Sequence, residues 1–584
     1  MNQEFLGFLS RLSLLAKSAN ETNSILHRVF RMELVFWVAV ILLALLVARS
    51  RARWFRRIEQ SFLRIARHRH RAVLGVFLGA LLLRAALLVF LPIPVPAVHD
   101  EFSYILQGET FAAGRLTNPV HPMAIFFETF HVNMWPTYQS MYPPAQGLVL
   151  ALGILLFGHP WWGVWLSMAI MCAVVCWMLQ AYMPPHWALL GAVFCVLRFD
   201  IFSYWINAYL GGAVAAAAGA VLLGTWPRLR RNPCIPYGLL FGFALIVLAN
   251  SRPWEGLVCS VPCTIAALAW LFRERRRFSL IFRKAVVPVV VVLILGAAFM
   301  LYYNWRGTGN PLEMPYIADQ MRYHITKPFI WEKRNPIPHY DHPAMRRVYV
   351  YWELPSYLML RYPQGRLELF YQRCLTYYEF YFWPAVLLLI PGFLIACRSR
   401  RLRLLPITAL MVILGVFVEI YPPFAQYAAP ALACFIAVML VGFRAMRAWS
   451  IRGRRIGLAM SRAFILLLAV WFAVRTGEQL IDPYHFTYEE GAPRQEIQRA
   501  SIVSRLDRLP GKQLVIVHMS PSFGDYRDWV YNKPDIDASH IVWARDMGPA
   551  NRSLLQYFHD RTVWWVDQSD GMMALRPYTP ADSQ

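Results

Sequence analysis

Residues 49–104 read RSRARWFRRIEQSFLRIARHRHRAVLGVFLGALLLRAALLVFLPIPVPAVHDEFSY, and three properties of this stretch decide the fold. Nine arginines crowd into Arg49–Arg71, an apolar run follows at 72–92, and a proline-rich turn then delivers an adjacent acid pair, Asp100-Glu101. A bilayer core is about 30 Å thick and a helix rises about 1.5 Å per residue, so roughly 20 apolar residues make one crossing. Short arginine-rich loops stay on the cytoplasmic side, which places the acid pair on the outer side.

The alternation repeats along the chain. Apolar segments at 34–48, 72–92, 161–182, 187–203, 208–226, 235–250, 257–272, 284–303, 380–397, 404–420, 428–443 and 463–478 predict about 12 spans. Arg49–Arg71, Arg228–Arg231, Arg273–Lys284, Arg398–Arg403 and Arg444–Arg462 hold 28 of the 58 basic residues, whereas Pro94–Ala145 holds only Arg115. Gln146–Phe157 is apolar but short, bracketed by Pro143-Pro144 and Gly158-His159-Pro160. Counting it as a span would move later basic loops outside, so it is expected to be re-entrant or interfacial.

Composition agrees. Hydrophobic residues make up 58% and charged residues 16%, which excludes a soluble enzyme and a disordered chain. The net charge of +24 would suggest nucleic acid in a soluble protein, but here it is topological, and no nucleic-acid partner is expected. Six of the nine cysteines (Cys172, Cys176, Cys195, Cys259, Cys263, Cys434) lie in apolar runs and read as packing residues. Met1–Arg31 lacks the pattern of a cleavable signal peptide, and Leu6–Leu15 suits an interfacial helix.

The expected architecture is an α-helical polytopic membrane protein with a small C-terminal α/β extramembrane domain. It comprises an N-terminal interfacial segment 1–33, a transmembrane domain 34–478 with outer loops 94–145 and 303–379, and an outer domain 479–584. In that domain β-rich runs at Gln513–His518, Trp529–Tyr531, His540–Ala544 and Thr562–Val566 alternate with helical patterns at Glu496–Leu509 and Asn551–Phe558. It has no glycine-rich phosphate loop and no acid or histidine pair of fixed spacing, so it is expected to be non-catalytic and its deletion to spare the chemistry.

Several outward residues have both a bland and a chemical reading. An acid pair at a helix start is ordinarily a cap. Arg252, in Ser251-Arg252-Pro253-Trp254-Glu255-Gly256, could pair internally with Glu255 or meet an anion, and Arg115 is the other outward cation. His121, Glu128 and His131, with His99 nearby, could gather a divalent metal or line a polar sugar pocket, although their spacing matches no compact zinc motif. Trp205, Asn207 and Tyr209 precede Gly211-Gly212 and read as interface anchors above close helix packing, with Trp205 and Asn207 also candidate sugar contacts.

The order of the motifs carries a resemblance. His99-Asp100-Glu101-Phe102-Ser103-Tyr104 is followed by Gly114-Arg115-Leu116, then by Met141-Tyr142-Pro143-Pro144-Ala145-Gln146-Gly147. Tyr303-Asn304-Trp305, Thr308-Gly309-Asn310-Pro311-Leu312 and Tyr427-Ala428-Ala429-Pro430 come later. Over roughly residues 72–445 this resembles the GT-C superfamily of polyprenyl-phosphate-sugar glycosyltransferases, family 39-like, which includes protein O-mannosyltransferases and the lipid A aminoarabinose transferase. Gln426 departs from the basic or histidine residue that often precedes the family's late tyrosine.

The resemblance implies an inverting transferase in the inner (plasma) membrane. It would move a monosaccharide from a polyprenyl-phosphate donor to an envelope acceptor, whether lipid, glycan or protein, with the active site and C-terminal domain on the periplasmic or extracellular side. Asp100 would be the general base, its pKa raised by desolvation at the membrane mouth, and Glu101 would orient the acceptor or a metal. Arg252 and Arg115 would meet the phosphate. Tyr104, His121, Glu128, His131, Tyr142, Trp205, Asn207 and Glu255 would complete the substrate site, with a divalent metal as the one cofactor considered. Asp100 and Arg252 must then converge. A transporter or flippase of a lipid-linked sugar is the alternative, but it would place ionisable groups mid-span in matched halves, and the sequence shows neither an internal repeat nor mid-span acids beyond Asp200 and Glu419, both near span ends. A purely structural envelope protein would leave the acid pair without a role.

Overall fold

The computed structural model describes residues 31–47, 53–422, 424–481, 496–519, 528–568 and 574–579. Six helices among them are long and apolar enough to cross a membrane: Trp161–Tyr182, Gly212–Arg231, Pro253–Arg273, Arg275–Thr308, Ala425–Ala448 and Ile456–Glu478. Pro363–Phe382 and Val386–Arg398, bent by 91°, make a seventh if they form one span. Pro144–Phe157, Pro185–Phe199, Ile235–Ala249 and Leu404–Phe417 are shorter apolar helices. Length and composition therefore establish a multi-pass membrane protein but not a count of twelve, because several expected spans form helices of only 14 or 15 residues.

The basic loops collect at one end of the bundle. The Gln180 amide donates to the Arg69 carbonyl, Arg228 to that of Trp177, and Arg231 and Arg401 both to that of Ala181. Arg447 and Arg462 share Glu59, each at 2.9 Å. At the opposite end Ala145 N–H meets the Asn250 carbonyl (2.9 Å), and Arg84 donates to Leu91 O and Asn207 Oδ1.

Pro144–Phe157 does not cross this bundle. The Gln146 amide near its start donates to Tyr209 O (2.9 Å), and the Trp161 indole just beyond its end donates to Ile206 O (2.8 Å). Both ends thus touch one short loop. The return is tight: a Cβ on Gly163 would lie 2.0 Å from Val149 O, so only glycine fits there. A Cβ on Gly212 would lie 2.3 Å from the Trp205 ring, so that loop side chain packs directly on this glycine.

The C-terminal part forms a four-stranded sheet in the order 541–545, 512–519, 561–568, 575–577, the first three strands parallel and the last antiparallel. Helices Glu496–Leu506 and Asn551–Tyr557 accompany it. Trp529–Tyr531, expected as a strand, is instead buried irregular chain. The Asn532 side chain takes the place of a ladder there, accepting from Trp543 N–H and donating to Trp543 O, each at 2.8 Å.

Candidate active site

Helix His99–Ala112 begins after the extended residue Val98, with Asp100 and Glu101 in its first turn. Neighbouring side chains on a helix point about 100° apart, so the two carboxylates face different surroundings. Glu101 turns back. Its Oε2 accepts from Ala97 N–H (2.7 Å) and Val98 N–H (3.1 Å), and its Oε1 from Tyr209 N–H (3.0 Å). Burial pushes its pKa up to about 7 against these three donors. Glu101 is therefore the cap and the tie to the 205–209 loop, and the expected role in orienting an acceptor or metal is corrected.

Asp100 faces the other way. The Tyr142 hydroxyl donates to its Oδ1, His131 Nδ1 lies 3.6 Å from the same oxygen, and His99 Nε2 lies 3.3 Å from Oδ2. Its side chain keeps a third of its exposure. Burial opposes its charge, but His131, His99 and the Tyr142 hydroxyl prevail and hold the pKa well below the usual carboxylate range. The expected upward shift is thus reversed, because sequence spacing could not show two imidazoles converging on one carboxylate.

His131 has φ of 61°, a left-handed conformation rare outside glycine, and its carbonyl accepts from Ser103 Oγ (2.6 Å) and Met141 N–H (3.2 Å). Its Nδ1 is 2.9 Å from the Tyr142 hydroxyl, and its ring meets that of His99 edge-on at 4.4 Å. One ligand atom each from His99, Asp100 and His131 lies within 4.8 Å of the others, so these three could hold a metal ion.

A second wall stands beyond Tyr142. That ring stacks on Tyr104 at 4.2 Å, and Arg252, preceding helix Pro253–Arg273, lies 5.0 Å over the Tyr427 ring. Arg252 interacts electrostatically with Tyr104, Glu255, Tyr427 and Tyr142, while Tyr104, Tyr142 and Tyr427 also feel Asp100. Asp100 and Arg252 therefore share one constellation. Glu255 and Glu419 are buried beside Arg252.

Sequence reasoning missed several neighbours. Arg373 donates to the carbonyls of Glu419 (2.6 Å) and Tyr421 (2.8 Å). His324 sits between Asp319 (3.2 Å) and Glu353 (3.3 Å) and stacks on His131 with centroids 6.3 Å apart. No spacing in the sequence announces these groups, since each meets its partner only through the fold.

Other expected site residues are elsewhere. Arg115 lies beyond the far end of the Asp100 helix, roughly 20 Å along its axis. His121 accepts from Met123 N–H at Nδ1 and pairs through Nε2 with Asp537 at 3.0 Å. Glu128 accepts from the Tyr323 hydroxyl (2.6 Å) and lies 3.5 Å from His342. The His121–Glu128–His131 metal set is thus dispersed: Asp537 holds His121 and Tyr323 holds Glu128, while His131 stays beside Asp100. Trp205 is buried between Phe199 and Phe380. Asn207 donates to Ile201 O and Ser203 O within its own loop, so neither residue is placed as a sugar contact.

No protein-family model matches the chain, and no curated protein matches it. Among solved structures it is similar to apo ArnT from Cupriavidus metallidurans at 12% identity, covering 85% of this chain and 92% of that one, with a TM-score of 0.49. ArnT of the same organism bound to undecaprenyl phosphate gives 13% identity, 85% and 92% coverage and a TM-score of 0.47. The Archaeoglobus fulgidus oligosaccharyltransferase tethered with an acceptor peptide gives 11%, 84% and 69%, and 0.44.

Proposed function

We propose that the chain is an inverting membrane glycosyltransferase that moves a monosaccharide from a polyprenyl-phosphate donor to a hydroxyl of an envelope acceptor, on the outer side of the inner (plasma) membrane. The observation that carries this reading is a part-exposed Asp100, held by the Tyr142 hydroxyl, that shares one constellation of tyrosines with Arg252.

Asp100 accepts a hydrogen bond from the acceptor hydroxyl and aims its oxygen at the anomeric carbon. A carboxylate of low pKa is a weak base toward a free alcohol. As the new C–O bond forms, however, that hydroxyl proton becomes strongly acidic and passes to Asp100 late in the step. The bond from the anomeric carbon to the phosphate oxygen breaks with inversion, and its electron pair leaves with the lipid phosphate. Arg252 meets that charge, being fixed before reaction by the Tyr427 ring. His99, Asp100 and His131 offer two nitrogens and an oxygen, a donor set that suits a divalent cation; such an ion would supply further positive charge.

The test uses proteoliposomes with a panel of undecaprenyl-phosphate sugars and envelope membranes as acceptor, read as release of undecaprenyl phosphate. Asp100→Asn should lower release by roughly 10²–10⁴-fold with the fold intact. A near wild-type rate in a folded Asp100→Asn protein would remove Asp100 as the base.

A further inference from the structure

The C-terminal domain grips the residues immediately before His131 one after another. Arg545 Nε donates to Glu128 O at 2.6 Å, and Thr129 Oγ1 donates to Asp528 Oδ2 at 2.7 Å. The Arg545 guanidinium also pairs with that Asp528 oxygen and lies 6.0 Å over the Phe130 ring, while the Tyr531 hydroxyl donates to Phe130 O at 3.4 Å. The same domain reaches the Asp100 helix, where Tyr531 stacks on Phe102 at 4.5 Å with planes 9° apart. His131 comes next in the chain, left-handed at φ 61°. For a residue with a Cβ that conformation is unfavourable and persists only where the surroundings impose it.

We infer that Arg545 and Asp528 are positioning residues of the active site: through Glu128, Thr129 and Phe130 they impose the backbone turn that presents the His131 imidazole to Tyr142 and Asp100. This rests on the transferase reading only for its effect on rate. Arg545 and Asp528 are both buried, 5% and 2% exposed. Taking such a pair out of water carries a desolvation cost that offsets much of its attraction, which favours a geometric purpose over simple adhesion of the domain. The expectation that the tail can be deleted without loss of chemistry is thereby replaced: the domain shapes the loop that carries His131.

The experiment uses the full chain in proteoliposomes with two variants, Arg545→Met and the milder Thr129→Val, which removes a single hydroxyl. Two readouts are taken. One is the rate at which diethyl pyrocarbonate modifies His131, compared by mass spectrometry with His186, which lies outside the loop. The other is turnover of the undecaprenyl-phosphate sugar panel. His131 modification is expected to rise fivefold or more with His186 unchanged, and kcat to fall tenfold or more with the donor KM within twofold. Unchanged His131 reactivity in a folded Thr129→Val protein would overturn the inference, as would a fall in kcat without a change at His131. A rise in His131 reactivity in a protein whose wild type releases no lipid phosphate from any donor would uphold the positioning role and sink the transferase reading instead.

Discussion

The acidic and basic walls of the site are built by opposite methods. Asp100, His99, His131 and Tyr142 come from segments within 44 residues of one another and are fixed by direct polar contacts of 2.9–3.6 Å and the Tyr142–Asp100 hydrogen bond. Arg252, Glu255, Arg373, Glu419 and Tyr427 come from distant helix ends, and Arg252 is held over a ring. On the proposed transferase reading, the difference matches two tasks. Taking a proton from one hydroxyl demands a fixed direction, whereas opposing the charge of a phosphate demands mainly proximity.

The comparison breaks first at Arg252. Arg252→Met keeps the side chain's length over Tyr427 but removes its charge, and lipid-phosphate release should fall roughly 10²–10³-fold, as when a fixed donor to a developing oxyanion is lost. Arg252→Lys should recover part of that, since a point charge satisfies the proximity the basic wall needs. Equal losses in both variants would show that this wall, too, depends on directed hydrogen bonds.

Tyr142→Phe probes the acidic wall more gently. It retains the stack on Tyr104 and removes only the hydroxyl shared by Asp100 and His131. A loss of roughly tenfold in kcat, with donor KM little changed, is the expected outcome. If donor KM rose instead with kcat preserved, the hydroxyl would belong to substrate binding, and the separation of the walls would be weaker than their geometry implies.

The sequence made the large features legible and the pairing of side chains illegible, for a physical reason. Charge segregation and hydrophobic runs act over whole helices, so they survive in the linear pattern; the arginine loops and the non-crossing Gln146–Phe157 segment could be read that way. Glu101 and Asp100 differ by one position on a helix, and nothing in the string says which faces Tyr209 N–H and which faces two imidazoles. His121 and Glu128 look like ligands until Asp537, more than 400 residues on, and Tyr323, nearly 200 on, claim them. Trp529–Tyr531 has the composition of a strand, but the Asn532 side chain satisfies Trp543 where a ladder would have run.

The smallest effect on rate is expected at His324, which tests whether the acidic wall extends into the 303–379 loop. Burial disfavours its charge, but Glu353 and Asp319 overcome this and raise its pKa to about 10, while His324 in turn helps lower that of Glu353. The sign follows from the two states. A histidine of pKa near 6.5 unfolded and about 10 folded contributes its full stability below pH 6.5 and loses it as pH rises toward 10. Glu353, depressed in the fold, contributes above its unfolded pKa and loses its share as pH falls through the folded one. His324→Gln should therefore destabilise the protein by about 3 kcal/mol near pH 6, the scale of breaking a buried pair, and by much less near pH 10. Transfer by the folded variant should fall only about threefold, because His324 touches His131 by stacking alone. Thermal unfolding of both proteins between pH 5.5 and 10 checks this. A gap in Tm that stays constant over that range would mean that His324 packs as a neutral ring, and the acidic wall would then end at His131.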